Sequence, residues 1–492
     1  MRVILAPAAA ILALLAGCGP ETGTGSGSIP MATSISQSDR QQGAQAKPEL
    51  LQEFGGAYAG PQAGYVASVG RKIAVQSSLS SAASDFDVTL LNSSVNNAFA
   101  TPGGYIYITR QLMALCNDEA EMAGVLGHEV GHVAALHGQR RQQAATRNAV
   151  GGALLQILTG AILGNSGLGG LLQQGIGTGT QLLTLSFSRA QEYEADDLGI
   201  RYLSKAGYDP AALSSMLASL AADSALEART AGKANAVPEW ASTHPDPASR
   251  VTRALTKARE VGATSTLRNR DVFLNALNGV TYGDDPAQGV INGTRFVHPA
   301  LRLSFTSPTG YAMVNGTQAV TITGSGGQAQ FTGGSYSGNL DAYVASAFQA
   351  IAGSGSAPSV TPTRTTVNGV RAAYATVRAN SQSGQVDVTV FAYETGPSQA
   401  FHFVMLTPAG QGLGPFGGMV QSFQRINAQE AAAVKARRIS VVTVKAGDTA
   451  QSLSSRMAYD DYKLQRFLVL NGLKENASLT PGGKVKIVTY GS

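Results

Sequence analysis

Two histidines four residues apart with a glutamate beside the first, His128, Glu129 and His132, constrain this 492-residue chain more than its length or composition does. Around them Met122, Val125, Leu126, Val130 and Val133 recur at helical spacing, which predicts a helix over 119–136. Positions four apart on a helix leave the same face, so both imidazoles can share one cation. Glu129, one step round from His128, can then reach solvent on that cation and serve as a general base. His137 lies about 900° from His128 on an ideal helix and is expected off the metal. The pattern alone also fits a helix with two hydrogen-bonded histidines and a chance glutamate. A catalytic zinc takes three protein ligands and one solvent, so a second element must bring the third.

The stretch SFSRAQEYEADDLGIRYL (186–203) reads as a helix that can do so. Glu192 and Asp196 project together from it, whereas Glu194 points about 200° from Glu192. Glu192 is assigned to the metal, and Asp196 to accepting the free N–H of a ligating histidine. Taken alone, the same acids fit a solvated helix face. Upstream, DFDVTLLNSSVNNAFATPGGYIYITRQLM (85–113) predicts two short strands around a Pro-Gly-Gly turn, followed by a helix. The apolar run AVGGALLQILTGAIL (149–163), with glycines continuing to about residue 180, could touch a membrane but is too short and too polar to span one. It reads as a buried or lid-like helix.

A chain of this length predicts several domains. Residues 1–18 carry one positive charge, an apolar run and Leu15-Ala16-Gly17-Cys18, which resembles the lipobox of bacterial lipoproteins. The resemblance implies a lipidated Cys18 facing the periplasm, and Gly19 in place of Asp points to the outer membrane. Residues 19–38 are a polar tether. Cys116 is then left without a partner for a disulfide. The net charge of +5 is spread thinly with no basic run, so no nucleic-acid partner is expected. Residues 39–283 read as mainly helical with a small sheet. Residues 284–427 read as an α+β domain with an antiparallel sheet and a helix at NLDAYVASAFQAI, its His298 and His402 structural. A helical connector, 428–440, leads to a small unit at 441–492.

Four motifs in order over residues 39–262 resemble the M48 family of zinc metallopeptidases. They are Asn97-Ala98-Phe99-Ala100-Thr101-Pro102-Gly103-Gly104-Tyr105, His128-Glu129-Val130-Gly131-His132, Ser188 to Asp196, and Ser242-Thr243-His244-Pro245 with Arg250. The resemblance implies a mainly α, zincin-type domain holding one zinc per chain on His128, His132 and Glu192. Glu129 is implied as base and His244 as the group facing the oxyanion, with Asp196 and Arg250 in support. Asn97, Ala98, Pro102, Gly103, Gly104 and Tyr105 are implied in substrate binding, with Tyr105–Thr109 as the edge strand that receives an extended peptide. The lack of spanning helices beyond the leader points to the soluble periplasmic branch of the family. No helical repeats follow the domain, so no repeat-based partner is implied.

VVTVKAGDTAQSLSSRMAYDDYKLQRFLVLNGLKENASLTPGGKVKIV (441–488) resembles a LysM module. This is a βααβ fold that binds N-acetylglucosamine-containing glycans such as peptidoglycan, although Ala450 stands where that family carries a larger apolar residue. The combined expectation is a lipid-anchored zinc endopeptidase of the bacterial envelope, acting on misfolded or stalled proteins. The alternatives are a chaperone-like scaffold with structural zinc and a peptidoglycan-associated cell-wall hydrolase.

Overall fold

The computed structural model describes residues 31–141, 187–230, 244–352, 357–381 and 384–491. The leader with Cys18, most of the tether, the 149–180 segment and Ser242-Thr243 lie outside the described residues. Two helices, α1 (Gln37–Glu53) and α2 (Gln62–Ala74), lead into strands β1 (Asp87–Leu91), β2 (Ala98–Thr101) and β3 (Tyr105–Thr109). Helices α3 (Arg110–Leu115), α4 (Glu119–Ala134), α5 (Arg189–Lys205), α6 (Ala212–Thr230), α7 (Pro247–Glu260) and α8 (Arg270–Leu277) follow.

Where the sequence predicts two strands, three form. β1 pairs in parallel with β3, and β2 folds back antiparallel to β3 through a turn in which Gly103 and Gly104 hold φ of 94° and 87°. The order β1-β3-β2 corrects the expected edge. Tyr105–Thr109 is the central strand, with its backbone engaged on both sides, and β1 and β2 are the outer strands. The hydrophobic pattern predicts strands but not their order, because an alternating strand buries the same face wherever it stands in a sheet.

Helix α4 begins where Asp118 Oδ1 accepts the Glu121 amide at 2.8 Å, and α5 begins at a capping box of Ser188 and Gln191. The two helices cross at glycines. A Cβ on Gly199 would stand 3.1 Å from the His128 amide nitrogen, and one on Gly131 would meet Ala195 O and Leu198 Cβ at 3.1 Å. This close approach brings the buried face of α5, including Glu192, Ala195, Asp196 and Gly199, against the two histidines of α4.

Beyond the helical part the chain is sheet-rich. The elements are β4 (Thr281–Tyr282), β5 (Val290–Asn292), β6 (Arg295–His298), β7 (Leu303–Thr306), β8 (Ala312–Asn315), β9 (Val320–Gly324), β10 (Gly327–Ser335), α9 (Leu340–Ala352), β11 (Thr363–Val367), β12 (Val370–Ser381), β13 (Gly384–Gly396), β14 (Gln399–Pro408), α10 (Gly417–Ser422), β15 (Gln424–Arg425) and α11 (Ala428–Ala433). An antiparallel sheet of order β11-β12-β13-β14-β10-β9-β8 is covered on one face by α9. Its other face carries an aromatic core of Phe331, Phe391, Tyr393, Phe403 and Phe423. With both faces covered, β13 is buried without a break from Asp387 to Tyr393, polar Asp387 and Thr389 included. His402 bonds Tyr343 at 2.9 Å, and burial lowers its pKa to about 4.

The last unit runs β16 (Arg437–Thr443), α12 (Ala450–Ser454), α13 (Lys463–Leu470) and β17 (Lys484–Tyr490). β16 pairs with β17 and also with β4 at the end of the helical part. One apolar cluster joins Val125, Leu203 and Leu277 to Leu453, Phe467 and Ile487, so this unit shares its core with the helices. Lys486 of β17 is fully buried, and its ammonium donates to the carbonyls of Ala114, Leu115 and Cys116 at 2.8, 3.3 and 2.6 Å. These carbonyls lie where α3 ends and the chain turns toward α4, and three N–H donors meet three acceptors. Replacing Lys486 by Met leaves buried acceptors unpaired, a loss of about 1–3 kcal/mol. A urea midpoint well below the parent's is the expected result, and an unchanged midpoint would show that this contact does not hold the unit in place. No helix among the described residues is long and apolar enough to cross a membrane.

Candidate metal centre

His128 and His132 leave the buried face of α4, four residues apart, with their Nε2 atoms 3.0 Å from each other. Glu192 of α5 brings Oε2 to 3.6 Å from His128 Nε2 and Oε1 to 3.4 Å from His132 Nε2. His244 lies just ahead of α7, and its Nδ1 stands 3.1 Å from Glu192 Oε1 and 3.4 Å from His128 Nε2. Among the described residues these four side chains form the group that could hold a metal ion, with all ligand atoms within 4.8 Å of one another.

The donor set fits zinc. Ligand atoms about 2.05 Å from a tetrahedral zinc stand about 3.3 Å apart, and the separations among His128, His132 and Glu192 run from 3.0 to 3.6 Å. Buried nitrogens and carboxylate oxygens this close repel one another unless a proton or a cation lies between them. Burial also pushes the His132 pKa well below its ordinary value, which leaves the neutral imidazole that a metal requires.

Charges around the cluster are paired in depth. Arg250 of α7, 1% exposed, donates to Asp196 through Nη2 at 2.5 Å and Nε at 2.9 Å, and also contacts Glu192. Asp196 Oδ1 stands 3.0 Å from His128 Nδ1, so that ring can give its Nδ1 proton to the carboxylate and turn the Nε2 lone pair toward the cluster. Burial pushes the Glu192 carboxyl up, but His244, His132 and Arg250 outweigh it and hold the group well below the usual range. In Asp196 the same opposition is won by Arg250 and His128.

Glu129 differs. Burial raises its pKa against the pull of His244 and His128, and its Oε1, 3.7 Å from His244 Nε2, is buried without a hydrogen-bond partner. A proton-accepting carboxylate beside a metal cluster is the arrangement that activates water in a hydrolase.

A cleft of about 140 Å³ opens on Glu129, His132 and His244. Asn97, Ala98, Pro102 and Gly103 line it, together with the remainder of β2. Gly104 and Tyr105 do not: Gly104 backs onto the Asp85 carbonyl, and Tyr105 packs against Gly43 of α1. Ala32, Ser34 and Ile35 also line the cleft, and the Ala32 amide donates to Ala134 O at 2.8 Å. This end of the expected tether is therefore docked on α4.

One contributor, His137, departs from the helical projection. His137 Nδ1 is 2.8 Å from His132 Nδ1, and His137 Nε2 is 3.0 Å from Glu194 Oε2. The helical projection fails there because α4 ends at Ala134 and Leu136 has φ 55°, which turns the chain back on itself. A histidine directly after a helix end was the available signal.

Comparison with known proteins agrees with this centre. The family model described as peptidase family M48 matches residues 61–258. The chain is 30% identical over 213 residues to the beta-barrel assembly-enhancing protease of Yersinia pestis, covering 42% of this chain and 41% of that protein. The protein of the same name from Escherichia coli K12 is also 30% identical over 213 residues, covering 43% and 42%. The metalloprotease LoiP of Escherichia coli K12 is 38% identical over 127 residues, which is 25% of this chain and 47% of that one. The chain thus spans less than half the length of these curated relatives. Residues 61–258, which match the model of peptidase family M48, hold at their centre the side chains that could bind a metal ion.

Proposed function

We propose that the chain is a zinc-dependent endopeptidase of the bacterial cell envelope, hydrolysing peptide bonds of misfolded or stalled envelope proteins. The observation that carries this reading is the meeting of His128, His132 and Glu192 beside the buried, unpartnered Oε1 of Glu129. One zinc per chain, held by those three residues, would supply Lewis acidity and lower the pKa of its solvent to about 7. Glu129 takes the proton of the attacking water and passes it to the leaving amine. His244 faces the oxygen on which charge develops, and one such donor contributes about 3 kcal/mol to the transition state. Asp196 and Arg250 hold His128 and Glu192 in place. An extended peptide adds to β2 through main-chain hydrogen bonds, beside Asn97, Ala98, Pro102 and Gly103.

The names of the relatives, which join proteolysis to β-barrel assembly, support an envelope substrate. The same reading tethers the chain to the outer membrane by lipid on Cys18, facing the periplasm. It takes 441–492 as a LysM-like module that meets peptidoglycan, a view supported by the strand–helix–helix–strand order of 437–490.

Purified full chain incubated with casein and with peptidoglycan, each with and without a chelator, tests the proposal. Casein is expected to be cut, chelator to stop the cutting and zinc to restore it, with peptidoglycan intact. Uncut casein with zinc-loaded protein overturns the reading. Fragmented peptidoglycan would instead make the protein a wall hydrolase.

A further inference from the structure

His128 and His132 are oriented by different means. The Nδ1 of His128 meets a carboxylate directly, Asp196 at 3.0 Å. The Nδ1 of His132 meets another imidazole, His137 at 2.8 Å, and only the far side of that ring reaches a carboxylate, Glu194 at 3.0 Å. Hydrogen-bond directions along this chain are dictated. Glu194 also receives Arg140 Nη1 at 3.0 Å, so it acts as an acceptor and His137 Nε2 must donate to it. A neutral ring that donates at Nε2 accepts at Nδ1. His132 Nδ1 must therefore donate, which leaves the His132 Nε2 lone pair facing His128 Nε2 and Glu192.

We propose that His137 and Glu194 are positioning residues that fix the tautomer and ring plane of His132, so that the metal centre rests on a two-link relay at one histidine and a single link at the other. The proposal rests on the zinc reading above. His137 is fully buried, and its carbonyl receives Gln191 Nε2 of α5 at 3.4 Å, so the ring is held between the end of α4 and the start of α5. Glu194 and Arg140 lie nearer the surface, with side chains 18% and 31% exposed. The relay therefore connects a buried ligand to an ion pair at the protein's rim. Glu194, set about 200° from Glu192 on their helix, serves a different ligand from its neighbour's.

Zinc affinity, measured by competition with a chromophoric chelator, tests this without reference to turnover. His137→Leu removes the acceptor, whereas His137→Asn places an amide oxygen close to where Nδ1 stood. The Leu variant is expected to bind zinc 10–100-fold more weakly, the range seen when such supporting partners are lost, and the Asn variant close to the parent. If the two variants bind equally, whether tightly or weakly, the proposal is overturned, since acceptance at that position would not matter. Should the Leu variant fail to fold, Glu194→Ala decides: weakened binding supports the relay, and parental binding refutes it. A parent protein that binds zinc but does not cut casein sinks the peptidase reading and leaves this test intact.

Discussion

Glu129→Gln protein is expected to bind zinc as the parent does and to lose peptide hydrolysis by about 10²–10⁴-fold, the contribution of a positioned general base. Gln matches Glu in shape, so the 2%-exposed site keeps its packing, and Glu129 stands outside the cluster of ligand atoms. What disappears is the capacity to take a proton. The carboxylate's Oε1 has no hydrogen-bond partner to lose, so the substitution breaks no hydrogen bond at that atom. Metal content by atomic absorption and cleavage of a fluorogenic peptide measure the two halves of the prediction. A variant retaining more than about a tenth of the parental rate removes Glu129 from the mechanism.

The second large effect is on stability. Arg250→Met in metal-free protein is expected to cost about 3–5 kcal/mol, the usual consequence of removing one partner of a buried ion pair. Arg250 sits between Asp196 and Glu192, both fully buried, and two carboxylates would be left without their cation. Arg250→Lys should not restore the loss, because a point charge cannot grip Asp196 with two parallel hydrogen bonds. The pH dependence has a definite sign. Both carboxyls are held below their ordinary values in the fold, so the stability they contribute is present above about pH 4, the unfolded range, and fades as pH falls through their folded values. The gap between parent and variant should therefore be widest near neutrality and narrow in acid. Added zinc should close part of it by supplying positive charge. Urea titrations of chelator-treated protein at pH 7 and pH 3.5 measure this. Equal midpoints for parent and variant at pH 7 would mean that Arg250 is dispensable.

Much of the site is local and hence readable. His128 with His132, and Glu192 with Asp196, are pairs four apart on helices, and the period of an α-helix alone puts each pair on one face. The glycines that let α4 and α5 touch are visible in the sequence as well, but not as a crossing point, because a small residue does not name its partner. His137 shows where such reasoning ends. Its angle from His128 holds only on a continuous helix, which the backbone abandons at Leu136, and the ring turns back to meet His132 from the side.

The sheet divides in the same way. Alternation marked the strands near residues 85–109, yet the order β1-β3-β2, which makes Ala98–Thr101 an outer strand, depends on Asp87–Leu91 passing over β2 to pair with Tyr105–Thr109, which no local pattern encodes. The final unit has the expected strand–helix–helix–strand order, and its sequence period is enough for that. That its core is continuous with the helices, and that Lys486 is buried against the carbonyls ahead of α4, follows from surfaces meeting some 370 residues apart. Periodicity and motif spacing determined which residues could bind a metal and in which elements they stand. Tertiary packing alone decided which strands stand at the sheet's edges, which side chains back His128 and His132 and which distant unit completes the core, because those depend on which faces come together rather than on how each is patterned.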